Sequence, residues 1–422
     1  MTFREVNDNE LRITNYELFR AFVNSLAVKN ALRLFAFAGI LLLAVSIQAQ
    51  IAVKGETIWT MAGEPITNGV VLINNGKIEA VGTSAQVKIP ANYRVISAKV
   101  VTPGLIDAHS VIGLNGYLNQ PHDQMALDAS TPIQPELRAI DAYNAEEFLI
   151  GWVRSFGVTT VHTGHQPSAL VPGQTMIAKT VGRTVEEATL VPSAMINVTL
   201  GESALAGQGK SPGTRSKEIA MLRAELIKAG NYKGEPRDLR QEMWKKVLNR
   251  EIPLLVTAQR AVDIINILRL AKEFNIKIVL DGVSECQQVI SEIKASGFPV
   301  IIHPTMYRAG GETENLSMED AAKLKAAGIP VALQSGYEGY VPKTRIVLFE
   351  AAVAAANGMS KSDALATITI DAAKILGLDN RLGSLAAGKD ADLAMYDGDP
   401  FEYVTHCTGT IVNGNVVSDV VR

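Results

Sequence analysis

The strongest constraint on the fold is an alternation of short apolar runs with longer amphipathic stretches in the second half of the chain. The apolar runs have the length of buried strands, and the stretch "RAVDIINILRLAKEFN" between two of them has apolar residues near helical spacing. Repeated strand and helix predicts parallel strands joined by right-handed crossovers. An array of this length favours an α/β fold with a (β/α)8 TIM-like barrel, which we place at residues 103–382, over an open doubly wound sheet. The predicted strands include "IPLLVT" (252–257), "IKIVLD" (276–281), "FPVIIH" (298–303) and "IPVALQ" (329–334).

The regions on either side of this array have short alternating runs and tight turns instead. Asn75-Gly76 and Asn413-Gly414 each separate two such runs, and Asn-Gly suits the positive φ angles of a type I′ hairpin turn. We therefore predict a small β-sandwich domain built from both ends of the mature chain, residues 50–102 and 383–422. Two unrelated β decorations are the alternative, which turn patterns do not exclude.

Residues 1–49 have the pattern of an export signal peptide with an extended N-terminus. Lys29 and Arg33 precede an apolar run from Leu34 to Ile47, and Ala49 is a small residue at a plausible cleavage point. The run is shorter than the roughly 20 apolar residues that span a bilayer. We predict cleavage after Ala49 and a periplasmic or secreted protein, with an uncleaved membrane anchor as the alternative.

Charge and cysteine content exclude several classes of partner and site. The chain has 40 Lys and Arg against 43 Asp and Glu, a net charge of −3, and no long basic run. No nucleic-acid partner is therefore predicted, and a small molecule or small peptide is the expected ligand. Cys286 and Cys407 lie far apart in the sequence, so we predict buried free thiols rather than a disulfide framework or a thiolate zinc site.

Polar residues at predicted strand ends indicate where a site would lie. The chemistry of a TIM barrel takes place at the carboxyl ends of its strands, and His109, His162, Asp281 and His303 fall at or just after such ends. Single polar residues also occur there for structural reasons, so this clustering alone does not define a site.

Four stretches of the chain, "VVTPGLIDAH" (100–109) and residues 156–161, 261–274 and 372–402, are similar to segments of one known family and follow the same order. They resemble the amidohydrolase superfamily, especially its imidazolonepropionase-like and exported dipeptidase-like branches, and the first stretch looks like the first barrel strand of that superfamily. The resemblance covers nearly the whole mature chain. It implies hydrolysis of carbon–nitrogen bonds at a centre of one or two divalent metal ions.

Most of the metal-ligand positions implied by this resemblance are substituted. The His-x-His of strand one is His109 followed by Val111, which has no lone pair for a metal. Thr257 stands where strand five has a histidine, and Gly336 where strand eight has an aspartate, while strand six has Asp281, a carboxylate able to bind metal. The resemblance therefore implies a degenerate centre that binds a divalent metal such as Zn weakly or not at all.

A remodelled metal centre is the alternative. It would use His109, Glu202 and Asp281, with His162 and His165 at and beyond the end of strand two. The same two histidines could instead bond to backbone or water, because a His-x-x-His pair across a strand end does not fix both rings on one face.

No catalytic residue is assigned, and Asp281 and Glu338 are the candidates. His303, Tyr337 and Tyr340 are predicted substrate contacts at the barrel mouth.

Two functions of different class remain. The first is a weakly active or inactive relative whose barrel mouth binds a ligand, or which associates with an active paralogue or forms a homo-oligomer. The second is a hydrolase that acts on cyclic amides or dipeptides through a remodelled metal centre. The substituted ligand positions favour the first.

Overall fold

The computed structural model describes residues 50–207, 209–303, 310–337 and 346–422. The predicted signal peptide, residues 1–49, lies outside the described residues. In the ranges that the structure describes, no helix has the length and apolarity needed to cross a membrane.

The described elements alternate between strands and helices over most of the chain. The strands are β1 (Ile51–Ile58), β2 (Ile66–Asn74), β3 (Lys77–Thr83), β4 (Arg94–Pro103), β5 (Leu105–Ser110), β6 (Val158–Gly164), β7 (Gly173–Lys179), β8 (Thr189–Val191), β9 (Ile196–Thr199), β10 (Leu254–Ala258), β11 (Ile278–Gly282), β12 (Val300–Ile302), β13 (Val331–Leu333), β14 (Leu393–Tyr396), β15 (Cys407–Val412) and β16 (Asn415–Ser418). The helices are α1 (Phe148–Arg154), α2 (Val185–Ala188), α3 (Arg215–Asn231), α4 (Leu239–Leu248), α5 (Ala261–Phe274), α6 (Ile290–Ser296), α7 (Asp320–Ala326), α8 (Val347–Ala356), α9 (Lys361–Thr367) and α10 (Ile370–Ile375).

One sheet forms a nearly closed barrel, which confirms the predicted fold class. Its path is β13-β12-β11-β10-β9-β7-β6-β5, with β8 paired to β7 off the path. The two end strands approach each other where Ser110 bridges Gly336. The ends of these strands therefore surround a common interior, as the site prediction requires.

The third strand of the barrel departs from the predicted all-parallel arrangement. Strand β7 runs antiparallel to β6 and to β9. Residues 165–172, which connect β6 to β7, contain no helix, and a parallel crossover needs about a dozen residues or more. The chain therefore returns beside β6 in the opposite direction.

The barrel helices cover the strands with apolar faces. In α5 the buried residues include Ile264, Ile267, Leu270 and Ala271, which recur at helical spacing. The helix ends at Asn275, which has a positive φ of 53° and so stops the right-handed backbone.

A second, seven-stranded sheet is formed from both ends of the described chain, as predicted. Its order is β16-β15-β14-β4-β1-β2-β3. The predicted hairpin turns are confirmed, because Asn75, Gly76, Asn413 and Gly414 all have positive φ angles. The predicted residue limits of the two domains remain predictions.

A buried lysine joins the barrel to this sheet domain. Lys179 of β7 is 3% exposed. Its Nζ donates to Asp392 Oδ2 at 2.7 Å, Asn413 Oδ1 at 2.8 Å and Asp390 Oδ2 at 3.1 Å. Asp390 and Asp392, in the stretch "GKDADL" (388–393), therefore have a structural role.

Candidate functional site

Each strand of the barrel path contributes at least one buried polar side chain at the same end of the barrel. Most of them lie at or just after a carboxyl-terminal strand end, and the antiparallel β7 contributes one from its amino-terminal half. In path order from β5, these strand-end residues are His109, His162, Thr175, Thr199, Thr257, Asp281, His303 and Gln334. Since buried polar groups are normally hydrogen-bonded, their partners determine what the site can hold.

Asp281 is the centre of the largest hydrogen-bond group among them. Its Oδ1 accepts from His109 Nδ1 at 3.2 Å and from Gln334 Nε2 at 2.5 Å. Its Oδ2 accepts from Thr257 Oγ1 at 2.6 Å. A fully buried carboxylate is thus surrounded by three donors from three other strands, which offset the penalty of burying its charge.

His109 has one ring nitrogen engaged and one without a partner. An ionised carboxylate only accepts hydrogen bonds, so Nδ1 carries the proton that is shared with Asp281. His109 Nε2 is buried and has no hydrogen-bond partner among the described residues. With the proton on Nδ1, the Nε2 atom of His109 keeps a lone pair that is able to accept a hydrogen bond or to bind a metal.

His162 has both ring nitrogens engaged. Its Nδ1 donates to the carbonyl oxygen of Ala108 at 2.6 Å, and its Nε2 accepts from Thr175 Oγ1 at 2.6 Å. Burial lowers the pKa of His162 to about 3, so the ring is neutral. Neither nitrogen has a lone pair left for a metal.

His165 lies beyond the end of β6 and is also tied to the backbone. Its Nδ1 donates to the carbonyl oxygen of Gln174 at 3.1 Å, and burial lowers its pKa. Of the ligands predicted from the sequence, the structure brings together His109, His162 and Asp281. The ring nitrogens of His162 and the Nδ1 atom of His165 are hydrogen-bonded to other atoms of the barrel.

The seam between the first and last barrel strands is closed by a carboxyl group that the sequence analysis missed. Asp107 Oδ1 accepts from the Ser335 backbone N–H at 3.0 Å, and its Oδ2 accepts from the Ser335 hydroxyl. Burial raises the pKa of Asp107 to about 6. Its position two residues before His109, on the same face of β5, was the sequence pattern that could have indicated it.

His303 is buried at the end of β12, where it contacts helix α8. Its Nε2 lies 3.4 Å from Glu350 Oε1, and both side chains are buried. Gly336 has a φ of +94°, and a Cβ at this position would lie 3.2 Å from His303 Cε1. An aspartate at position 336 would therefore meet both backbone strain and the imidazole ring.

Comparison with known proteins agrees with this architecture. A sequence model of the amidohydrolase family matches residues 287–418. The imidazolonepropionase of Paracoccus denitrificans is 25% identical over 370 residues, which cover 79% of this chain and 88% of that protein. The imidazolonepropionase of Thermoplasma volcanium is 23% identical over 380 residues, covering 84% and 91%. The crystal structure of an amidohydrolase from Thermotoga maritima superposes with a TM-score of 0.83 at 28% identity, covering 88% of this chain and 100% of that one.

This chain belongs to the amidohydrolase superfamily. The imidazolonepropionase relatives, matched over most of their length, place it in the imidazolonepropionase-like branch.

The described side chains at this barrel end form no clear group of ligands for the divalent metal that the superfamily usually holds. Among the described residues, no group of three or more His, Cys, Asp or Glu side chains could hold a metal ion. Val111 is 1% exposed and packs in the main apolar core. The hydroxyl of Thr257 is already used to bind Asp281. That the protein binds a divalent metal such as Zn weakly or not at all remains a prediction.

The remaining predicted site residues of this chain do not all lie at the centre of the barrel end. Tyr337 is close to the centre, with its ring centroid 5.3 Å from that of His109 at an interplanar angle of 43°. Glu202 is exposed in a short 3-10 helix, where its backbone N–H donates to Glu312 Oε2 at 2.8 Å. Glu338 and Tyr340 lie outside the described residues. Gln334, which the sequence analysis also missed, follows β13 as the last letter of "IPVALQ".

Proposed function

We propose that this chain is an exported protein of the carbon–nitrogen hydrolase lineage whose barrel has lost the superfamily's metal centre. It is weakly active or inactive as a hydrolase and keeps its barrel mouth as a binding site for a small molecule or small peptide. Export is supported by the N-terminal pattern in which Lys29 and Arg33 precede a short apolar run and Ala49.

The observation that carries this proposal is the hydrogen-bonding of Asp281. Its carboxylate accepts from His109, Thr257 and Gln334. A hydrolytic zinc site needs about three protein ligands and an open position that lowers the pKa of bound water. Here a neutral hydroxyl and an amide stand beside the one carboxylate, and both are poor ligands for such a metal.

One observation favours a second candidate, a hydrolase with a remodelled centre that acts on cyclic amides or dipeptides. His109 Nε2 has no partner among the described residues, while Asp281 binds Nδ1 of the same ring. A carboxylate behind a histidine is the arrangement that commonly orients a metal-binding imidazole.

Metal analysis and turnover assays separate the two candidates. The protein would be expressed from its full-length gene, purified without chelators, analysed for Zn, Mn, Fe and Ni, and assayed on imidazolonepropionate and on dipeptides. We expect far less than one metal ion per chain and no metal-dependent turnover. Val111→His should not restore either, because Thr257 and Gly336 leave the ligand set incomplete.

Two alanine variants make the result specific. His109→Ala removes the buried imidazole, and His122→Ala removes a histidine whose side chain is 77% exposed. Near-stoichiometric metal that falls in His109→Ala but not in His122→Ala would contradict the proposal and establish the remodelled centre. The intact mass of the same sample should match a chain that begins at Gln50. A mass that matches the uncleaved chain would contradict export by cleavage.

A further inference from the structure

Four carboxylates lie at the barrel mouth, outside the strand-end residues. Two of them belong to helices that follow barrel strands, Glu218 of α3 after β9 and Asp263 of α5 after β10. The other two lie in short 3-10 helices, Glu202 after β9 and Glu312 after β12. Strands β9, β10, β11 and β12 run parallel, so the segments after them are at one end of the barrel. We call these four residues the mouth carboxylates.

Backbone contacts at Gly201 show that the mouth carboxylates are close together. The N–H of Gly201 donates to Glu218 Oε2 at 3.2 Å. A Cβ on Gly201 would lie 2.5 Å from Glu312 Oε1, so the Glu312 carboxylate lies against the same residue. The N–H of Glu202 donates to Glu312 Oε2 at 2.8 Å. The segments after β9 and β12 therefore meet through carboxylates.

The mouth carboxylates have little positive charge around them. Arg215 Nε donates to Asp263 Oδ1 at 2.9 Å, and its Nη2 donates to Glu312 Oε1. Arg260 lies 3.6 Å from Glu285 Oε1, so it has a carboxylate of its own. Within the described ranges, no other Lys or Arg forms an ion pair with a mouth carboxylate. Four carboxylates with one paired arginine give the mouth a negative potential, which favours a cationic ligand.

Glu218 has a carboxylate oxygen that nothing in the described chain binds. The residue is 1% exposed, and its Oε1 has no hydrogen-bond partner among the residues described. Burial and the carboxylates of Asp263 and Glu312 raise the pKa of Glu218 to about 7, although the Gly201 N–H and the charge of Arg215 lower it. A buried carboxylate oxygen without a donor costs free energy. A ligand that donates a hydrogen bond to Oε1 would recover that cost.

The geometry fits an organic cation better than a metal ion. In the part of the chain that the structure describes, no group of three or more His, Cys, Asp or Glu could hold a metal ion. An ammonium group has three N–H donors and a guanidinium group has five. Such donors can bridge carboxylates that do not surround one point, as Arg215 does between Asp263 and Glu312.

The barrel end beneath the mouth carboxylates also favours a ligand that donates hydrogen bonds. His109 Nε2 and Gln334 Oε1 are buried and have no partner within the described ranges. None of the eight strand-end residues is Lys or Arg. Strand β9 connects the two levels, because Thr199 is a strand-end residue and Gly201 follows it closely. A ligand that passes the mouth carboxylates therefore meets further acceptors.

We propose that the mouth carboxylates bind the cationic nitrogen, an ammonium or a guanidinium group, of a small molecule or small peptide. Glu218 Oε1 is the buried acceptor of this site, and the exposed Glu202 is at its rim. This inference rests on the proposed function, which makes the barrel mouth a binding site, and it adds the charge of the ligand.

Isothermal titration calorimetry on the protein expressed from its full-length gene tests the site. The titrations are made at about pH 8, where the Glu218 carboxyl is mostly ionised. N-acetyl-lysinamide supplies the ammonium group, and N-acetyl-norleucinamide has a similar side chain without it. We expect a dissociation constant of about 0.1–1 mM for the first and binding at least roughly tenfold weaker for the second. N-acetyl-argininamide and putrescine then distinguish a peptide side chain from a free amine as the source of the cation.

Two variants link this binding to the mouth carboxylates. Glu218→Gln keeps the shape of the side chain and an acceptor for the Gly201 N–H but removes the charge. It should raise the dissociation constant of N-acetyl-lysinamide roughly tenfold. Glu202→Lys changes only an exposed side chain and should also raise it. Circular dichroism would show that both variants keep the native fold.

Matched controls change the same charges elsewhere. Glu225→Gln lies further along α3, where Glu225 accepts from Gln241 Nε2 at 3.0 Å. Glu186→Lys lies on the exposed side of α2, which follows the antiparallel β7 and is therefore at the other end of the barrel. Both controls should leave the dissociation constant unchanged.

Three results would overturn the cation site. They are equal binding of the lysine and norleucine compounds, equal losses in Glu218→Gln and Glu225→Gln, and no binding of any of the four probes. The first of these would still leave a ligand-binding barrel mouth. The proposed function fails by a different result, metal that falls in His109→Ala, so the two failures are distinguishable.

Discussion

Thr199 and Thr257 are neighbours on β9 and β10, where their Cα atoms are direct register partners. Both side chains are buried. Thr257 Oγ1 donates to Asp281 Oδ2 at 2.6 Å, whereas Thr199 Oγ1 has no hydrogen-bond partner within the described part of the chain. The two residues therefore contribute oppositely to stability, because only one of them offsets the desolvation of its hydroxyl.

Replacing each threonine with valine tests this difference. Thr257→Val should lower the free energy of unfolding by about 1–3 kcal/mol, because Asp281 loses a donor in a buried site. Thr199→Val removes an unpaired buried hydroxyl and should leave the free energy of unfolding unchanged or slightly higher. Urea denaturation measures both, and equal losses in the two variants would show that the Thr257 bond does not stabilise the barrel.

The sequence indicated which of the implied metal-ligand positions are substituted, but it did not indicate which side chains hydrogen-bond to one another at the barrel end. Val111, Thr257 and Asp281 were identified because the resemblance to the amidohydrolase superfamily implies metal ligands at their positions. Asp107 and Gln334 were missed because their partners come from distant parts of the chain. Ser335, for example, is 228 positions from Asp107, and only the closed barrel brings the two together.

The junction of β4 and β5 gives a structural reason for the sequence at the start of the first barrel strand. Gly104 lies between the two strands, and a Cβ there would lie 2.2 Å from Thr159 Oγ1 of β6. Its N–H donates to the carbonyl oxygen of Asp392 at 2.8 Å. The constraint is close packing between the barrel and the sheet domain, which does not depend on catalysis.

Gly104→Ala should therefore be strongly destabilising although it adds one methyl group. Overpacking of a filled site typically costs about 1–3 kcal/mol and occasionally more. Gly63→Ala is the control, because nothing lies within 4 Å of a Cβ at that exposed position. Thermal unfolding of the two variants should separate them clearly. Similar midpoints would mean that the β4–β5 junction can relax, and that its packing does not fix this stretch.

The sequence predicted the strands and helices that belong to a repeating pattern, but it did not predict the strand that departs from that pattern. The strand–helix alternation predicted β10 to β13 and the barrel, and Asn-Gly pairs predicted two hairpins. The antiparallel β7 was not predicted, since its residues "GQTMIAK" form a strand under either direction. The short connection at residues 165–172 was the available clue, because it cannot contain a crossover helix.

For the molecule as a whole, the packing of barrel against sheet domain depends on buried charge. Lys179 of β7 binds Asp390 and Asp392, which lie between the barrel and β14. Asp390 also accepts from Lys77 at 2.6 Å, and Lys77 is 51% exposed. Hydrogen bonds and charge from its basic neighbours outweigh burial and lower the pKa of Asp390 to about 2. One carboxylate thus has one buried and one exposed lysine partner.

These two lysines give a matched measurement of the domain contact. Lys179→Met should lower the free energy of unfolding by about 3–5 kcal/mol, because it leaves the buried carboxylate of Asp392 without its cation and removes one of the cations that bind Asp390. Lys77→Met removes an exposed partner of the same Asp390 and should cost about 0–1 kcal/mol. Urea denaturation followed by circular dichroism gives both values. If Lys179→Met costs no more than Lys77→Met, then apolar packing alone holds the sheet domain on the barrel, and the charge of the buried lysine is not required for the fold.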